Sequence, residues 1–181
     1  MRTLYFAALL ALTAPAHADV QSPILGISLG QEFQGQFSEC KGRRDNWCTL
    51  TSLLPGSLMP PDTNSPTALP TWVKRDRLFL EPNKGGKVDR FYLTTLGPQV
   101  QERVIESVTG RFGPPTVLDK QVKQNAMGVK VEVLFAQWNT ADTVVVHECS
   151  QVNACTLFFS TAEAYSQLQE RRKQELKRDK L

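Results

Sequence analysis

Four cysteines are the side chains of this 181-residue sequence with the most reactive chemistry. They form two closely spaced pairs, Cys40 with Cys48 and Cys149 with Cys155. An even number of cysteines in an exported chain predicts disulfide bonds, and of the three possible pairings the local one is favoured because each bond closes a short loop. Each loop should stabilise the fold by roughly 2–3 kcal/mol. The spacings exceed the about two to four residues typical of zinc ligands, so neither a metal nor a cofactor is predicted.

His147 is the only histidine that remains once the first 18 residues are removed. Period-two counting places it on the same strand face as Val145 and Cys149, with Glu148 on the opposite face. No nucleophile-elbow sequence accompanies it, so no catalytic triad is predicted. A carboxylate pair is the other route to hydrolysis, and its candidates are Asp76, Glu81, Asp89, Glu132, Asp142 and Glu148. No catalytic residue is assigned.

The two segments enclosed by the cysteine pairs are candidate binding surfaces. A rigid loop loses little entropy on association, and aromatic and arginine side chains are enriched at interface hot spots. The predicted binding residues in these loops are Arg43, Arg44, Trp47, Gln151 and Asn153. Structural bracing explains the same cysteines equally well.

The N-terminus has the three parts of a secretory signal. Arg2 precedes an apolar run from Leu4 to Leu12, and small residues at Ala16 and Ala18 predict cleavage before Asp19. The run is too short for a membrane span, which needs about 20 residues, and no cysteine follows for lipidation. Residues 1–18 are therefore predicted to be a signal peptide, which indicates a periplasmic or secreted protein with no transmembrane segment. Without Arg2 the formal charge falls from +3 to +2, too close to neutral to favour nucleic-acid binding.

The remaining residues, 19–181, have the patterning of a single α+β domain. Alternating apolar residues predict strands over residues 24–30, 76–81, 88–96, 117–124, 129–135, 144–149 and 155–159. A helix is predicted from Pro98 to a stop at Gly113, and a second from Ala162 to Lys180. The expected fold is an antiparallel sheet, made of a hairpin and a β-meander, packed on one central helix with a C-terminal helix.

Two segments of this domain permit more than one interpretation. Residues 53–70 hold five prolines and predict an extended surface loop, which is either a recognition loop or a mobile insertion. The C-terminal helix begins with a capping-box pattern at Ser160–Glu163 and ends in a basic stretch. That stretch is favoured as a solvated helix end, with Glu170 paired to Lys173, over a contact surface for anionic lipid or nucleic acid.

Several short motifs resemble a group of small exported proteobacterial proteins. They are Gly26-Ile27-Ser28-Leu29-Gly30 followed by Cys40, Val100-Gln101-Glu102-Arg103-Val104, Arg111-Phe112-Gly113-Pro114-Pro115-Thr116, Gln124-Asn125-Ala126-Met127-Gly128 and Ala136-Gln137-Trp138. The resemblance implies periplasmic residence and no particular activity, so no functional residue is carried over. More remotely, a helix ending at Gly113 before a meander is similar to the helix-on-sheet module of outer-membrane assembly lipoproteins and β-lactamase-inhibitor proteins.

These observations predict a periplasmic, non-enzymatic binding or inhibitor-like module whose partner is another envelope protein. Its alternatives are an envelope-acting hydrolase that uses paired carboxylates and a structural component of the envelope.

Overall fold

A computed structural model of the chain describes residues 24–49, 57–65, 68–75 and 78–178. The predicted signal peptide lies outside these residues, as do Pro55, Pro66 and Asp76. The described residues form an α+β fold, as predicted. None of their helices is long and apolar enough to cross a membrane.

Antiparallel strands dominate the described part of the chain. In chain order the strands are β1 (Ser38–Glu39), β2 (Cys48–Thr49), β3 (Ser57–Leu58), β4 (Leu78–Pro82), β5 (Val88–Thr94), β6 (Val117–Gln124), β7 (Lys130–Asn139), β8 (Thr143–Gln151) and β9 (Ala154–Thr161). β1 and β2 form a small parallel pair, and the other seven form one sheet in the order β3-β4-β5-β9-β8-β7-β6. The β4–β5 hairpin and the β6–β9 meander are joined because β9 pairs with β5, which places β6 at one edge.

Two helices lie on opposite faces of this sheet. α1 (Gln101–Phe112) follows a 3-10 turn at Pro98–Val100 and buries Val104 and Val108 in the main core, beside Trp138 and Phe159. α2 (Ala162–Arg178) contacts the other face, where the ring of Tyr165 meets that of Phe158. Since Phe158 and Phe159 alternate along β9, the two helices cover the two faces.

The start of α2 differs from the predicted cap by one residue. The Ala164 N–H donates to Thr161 Oγ1 at 3.2 Å, so Thr161 rather than Ser160 caps the helix. Ser160 lies at the end of β9 and is fully buried. The exposed second half of α2 contains the predicted ion pair, with Lys173 Nζ 2.7 Å from Glu170 Oε1.

The strand predicted over residues 24–30 is wrong. Ile24 and Ile27 exchange backbone hydrogen bonds of 2.8 and 2.9 Å, which closes a tight turn. Leu25 and Gly26 within it have φ angles of 53° and 82°, outside the range of an extended strand. Both isoleucines are buried in the main core, so their apolar character reflects burial under a turn rather than strand pairing.

The described part of the proline-rich segment, residues 57–65 and 68–70, packs against the rest of the protein, whereas its composition predicts a surface loop. In its described part, Leu58 is buried in β3, Pro60 and Pro61 are buried, and Leu69 joins the main core. β3 pairs with β4, and Met59 exchanges backbone hydrogen bonds with Cys48. Proline spacing indicates extended backbone but does not show whether another part of the protein covers that backbone. Here the Cys40–Cys48 segment covers it.

Candidate functional site

Both predicted disulfides are confirmed. Cys40 bonds to Cys48 with a Cα–Cα distance of 5.0 Å, and Cys149 bonds to Cys155 with a Cα–Cα distance of 3.9 Å. The first joins β2 to the residue that follows β1, whereas the second crosses between directly opposed residues of β8 and β9. The two bonds therefore brace very different surroundings.

Trp47 is not available as an exposed binding residue, contrary to the prediction. Its side chain is only 3% exposed, and its indole N–H donates to the Leu25 carbonyl at 2.8 Å. This contact fastens the first disulfide loop to the Ile24–Ile27 turn. A tryptophan flanked by arginines resembles an interface hot spot in sequence, but here the indole belongs to the core.

Arg43 and Arg44 fasten the same loop to the proline-rich segment. Arg44 binds Asp62 through its backbone N–H and its guanidinium, at distances of 3.0, 3.0 and 2.6 Å. The backbone bond and then the guanidinium bonds hold the pKa of Asp62 below its usual value. Arg43 donates to the Asn64 carbonyl at 2.9 Å. Both arginines thus have structural contacts, and Arg43 also keeps an exposed surface.

The second cysteine loop is much shorter than predicted. β8 continues to Gln151 and β9 begins at Ala154, so only Val152 and Asn153 form the turn. Gln151 and Asn153 are exposed at this tip. The sequence suggested a five-residue loop because Ser150, Gln151 and Asn153 are polar. Strand residues at the end of a sheet also face solvent, so their polarity does not distinguish a strand from a loop.

A buried polar cluster lies where β8 passes the disulfide. His147 is fully buried, on the same face as Val145 and Cys149 as period-two counting predicted. A ring nitrogen of His147 and the sulfur atoms of Cys149 and Cys155 lie within 4.8 Å of one another. Val133 and Val131 pack with the two cysteines in a small apolar cluster.

A gap in the β7–β8 ladder gives His147 its hydrogen-bond partner. The register of β7 with β8 extends only to the pair Ala136–His147. Beyond it, Leu134 receives its partners from side chains: its N–H donates to Gln101 Oε1 at 2.8 Å, and its carbonyl contacts His147 Nδ1 at 3.0 Å. Because a carbonyl only accepts, Nδ1 carries the hydrogen, and the neutral ring leaves a lone pair on Nε2.

His147 Nε2 has no hydrogen-bond partner among the described residues. Buried polar atoms are nearly always bonded, so this nitrogen is the most unusual polar group in the described core. Burial lowers the pKa of His147, and the bond to Leu134 opposes that shift. The imidazole is therefore neutral in the folded protein at pH 7.

Stability of the oxidised protein is expected to fall as the pH drops below about 6.5. In that range the unfolded chain binds a proton at its exposed histidine, whereas the folded pKa is lower and His147 stays neutral. The loss reaches at most about 1.4 kcal/mol per pH unit and ends once the pH passes the folded pKa, where the native state also takes the proton. Urea denaturation of the oxidised protein at pH 7.5, 6.5 and 5.5 measures the slope.

The matched variant for this pH series is His147→Gln, whose amide can still donate to the Leu134 carbonyl. Its stability should change little between pH 7.5 and 5.5, because carboxylates titrate mostly below that range. Parallel pH profiles for the two proteins would show that His147 does not control acid sensitivity.

Three of the acidic candidates for hydrolysis, Glu81, Asp89 and Glu132, contact basic or amide side chains. Glu81 forms an ion pair with Arg90, and Glu132 forms one with Lys120. Asp89 accepts a hydrogen bond from the Asn83 side chain at 2.9 Å. These contacts do not form the carboxylate pair that the hydrolase alternative requires.

The β6–β7 hairpin exposes an apolar surface that the sequence did not reveal. Eight large apolar side chains of the described residues are exposed, and five of them lie here: Val117, Leu118, Val122, Met127 and Val129. Alternation along β6 was compatible with one buried face, but the strand order places β6 at the edge, where little covers either face. Only the topology shows that these residues face solvent.

No protein-family model, curated protein or solved structure matches this chain. The likeness to exported proteobacterial proteins and the remote likeness to helix-on-sheet modules stay predictions.

Proposed function

We propose that this protein is a non-enzymatic, inhibitor-like binding module of the bacterial periplasm that captures an extended segment of another envelope protein along the free edge of β6. The observation that carries the proposal is the apolar surface of the β6–β7 hairpin. Val122 is 66% exposed and Met127 is 85% exposed. Leu118 and Val122 share one face of β6, and exposed apolar side chains grouped in this way are characteristic of interaction sites.

The backbone of β6 supplies the second part of the proposed surface. Asn125 N–H donates to the Val129 carbonyl at 3.0 Å, just beyond the ladder. Counting back in steps of two, odd-numbered residues of β6 bond to β7, and even-numbered residues direct their N–H and C=O groups outward. Leu118 and Val122 are therefore well placed to flank an added strand, as in β-augmentation.

Natural edge strands are commonly protected by short length or by lysines. β6 has eight residues, whereas β3 at the opposite edge has two. β6 does carry Lys120 and Lys123, but Lys120 Nζ lies 3.0 Å from Glu132 Oε1. An extended partner segment with apolar residues at alternate positions would therefore fit this edge.

The proposed location follows from separate observations. The N-terminal pattern of Arg2, an apolar run and Ala16-His17-Ala18 supports export. The protein has two disulfide bonds, and disulfide bonds form and persist in oxidising compartments. A protein exported to this compartment would meet other envelope proteins, which are therefore the proposed partners of the β6 edge.

Val122→Pro is expected to reduce partner binding at least about 10-fold. Proline removes an outward N–H and the apolar side chain but no ladder hydrogen bond, which is the position where an edge strand tolerates it. The experiment places a photo-crosslinking residue at Gln124 in the exported protein and identifies adducts in intact cells by mass spectrometry. Crosslinking in the Val122→Pro background then measures the loss.

Leu176→Arg provides the matched control, because Leu176 is an exposed apolar residue on α2. This variant should retain the crosslink, and both variants should unfold at temperatures close to that of the parent protein. A crosslink that survives Val122→Pro, or one that is lost equally in Leu176→Arg, would contradict binding along β6.

A further inference from the structure

Three potential metal ligands converge beneath the β8–β9 turn. A ring nitrogen of His147 and the two sulfur atoms of Cys149 and Cys155 all lie within 4.8 Å of one another. His147 is fully buried, and its Nε2 has no hydrogen-bond partner among the described residues. His147 therefore offers an unbonded lone pair on Nε2, and one of its ring nitrogens lies near two sulfur atoms in an apolar setting.

The other ring nitrogen is arranged as in a metal-ligating histidine. Its Nδ1–H donates to the Leu134 carbonyl at 3.0 Å, which fixes both the ring orientation and the tautomer. Metal-bound histidines nearly always donate their second nitrogen to a carbonyl, a carboxylate or water in this way. The Leu134 N–H is in turn held by Gln101 at 2.8 Å, so α1 supports the arrangement.

We propose that reduction of the Cys149–Cys155 disulfide creates a buried Cu(I) site whose ligands are the two thiolates and His147 Nε2. A dithiol supplies the two electrons and two protons: the Cys149–Cys155 sulfur–sulfur bond breaks to two thiols, and the dithiol becomes a disulfide. Binding of Cu(I) then displaces the two thiol protons to solvent, and copper keeps its oxidation state. The site is independent of partner binding at β6.

The ligand set favours Cu(I) over the other common protein metals. Thiolates select soft ions, chiefly Cu(I) and zinc. Structural zinc is almost always four-coordinate, whereas this group holds three His, Cys, Asp or Glu ligands among the described residues. Hard ions such as magnesium and calcium require oxygen ligands and do not fit.

The sheet keeps the ligands together after the covalent bond is broken. Cys149 and Cys155 are directly opposed, and the β8–β9 register runs from Thr143–Thr161 to that pair. Backbone hydrogen bonds of this ladder do not depend on the disulfide. Reduction therefore frees two thiols whose separation is limited by the ladder.

Cu(I) binding is tested on the exported protein with Cys40→Ala and Cys48→Ala, which removes the other thiol pair. The protein is reduced with a phosphine under anaerobic conditions and titrated with Cu(I) against a chromophoric Cu(I) chelator. We expect one Cu(I) per reduced chain and none for the oxidised chain. His147→Gln should weaken binding by at least about 10-fold, since even removal of groups that only support a ligand costs that much.

A second measurement on the reduced wild-type protein requires no substitution that could disturb folding. Cu(I) should protect Cys149 and Cys155 from alkylation while Cys40 and Cys48 react, as shown by peptide mass mapping. X-ray absorption should report two sulfur ligands and one nitrogen ligand. Equal alkylation of all four cysteines, equal uptake by the oxidised chain, or zinc bound in preference to Cu(I) would overturn the proposal.

Discussion

Trp138→Ala should lower the free energy of unfolding by about 3–5 kcal/mol, the range measured for removing a large aromatic side chain from a core. Trp138 is 1% exposed and belongs to the main core beneath α1. Its indole N–H also donates to the Gly113 carbonyl at 3.1 Å, at the end of that helix. One side chain therefore packs in the core beneath α1 and binds the residue at which α1 ends.

Trp138→Phe separates these two contributions. Phenylalanine keeps most of the buried ring surface but loses the hydrogen bond, so we expect a smaller loss of about 1–2 kcal/mol. Val117→Ala is the exposed control and should change stability by less than about 0.5 kcal/mol. Urea denaturation measures all three. A loss below about 1 kcal/mol for Trp138→Ala would be inconsistent with the described packing of β7 on α1.

The central fold could be predicted because its signals are local. Valines at helical spacing indicated α1, and Asn83–Gly86 marked the turn between β4 and β5. Period-two alternation located the strands of the meander. Pairing of β5 with β9 could not be read from these patterns, because it brings together segments more than sixty residues apart and no local signal specifies such a partner.

The N-terminal layer was predicted poorly for a related reason. Isoleucines at 24 and 27 are compatible with either a strand or a buried turn, and only the positive φ angles of Leu25 and Gly26 distinguish them. Trp47 gave the same ambiguity between a surface contact and a core contact. In each case the side chain is covered by a segment remote in sequence, so its burial depends on tertiary packing.

The two candidate sites differ in how much of each the sequence could supply. Alternation placed His147 and Cys149 on one face, and the two disulfides were predicted from their spacing. The bond between His147 Nδ1 and the Leu134 carbonyl could not be predicted, since it depends on where the β7–β8 pairing ends. The apolar surface of β6 likewise depends on its place at the sheet edge rather than on its composition.

Removing the Cys40–Cys48 bond by Cys40→Ala with Cys48→Ala should lower the free energy of unfolding by roughly 2–3 kcal/mol, through the greater freedom of the unfolded chain. We expect a local effect as well. β1 and β2 contribute only two residues each, so the loop depends on the disulfide, the Arg44–Asp62 contacts and buried Trp47. Limited proteolysis should produce new cleavages within residues 38–49, and tryptophan emission should shift to longer wavelength.

The variant with Cys149→Ala and Cys155→Ala tests whether loss of a disulfide exposes a segment to protease only where few backbone hydrogen bonds hold that segment. Its loop is similarly short, so the loss of stability should also be roughly 2–3 kcal/mol. Cleavage of residues 143–161 should nevertheless stay close to the wild-type level, because the β8–β9 ladder and its two-residue turn hold the hairpin without the bond. Equal protease sensitivity of residues 38–49 and residues 143–161 in their respective variants would mean that backbone pairing does not determine which disulfide controls local order. A wild-type-like Cys40→Ala, Cys48→Ala variant would show that Trp47 and Arg44 suffice to hold the N-terminal layer.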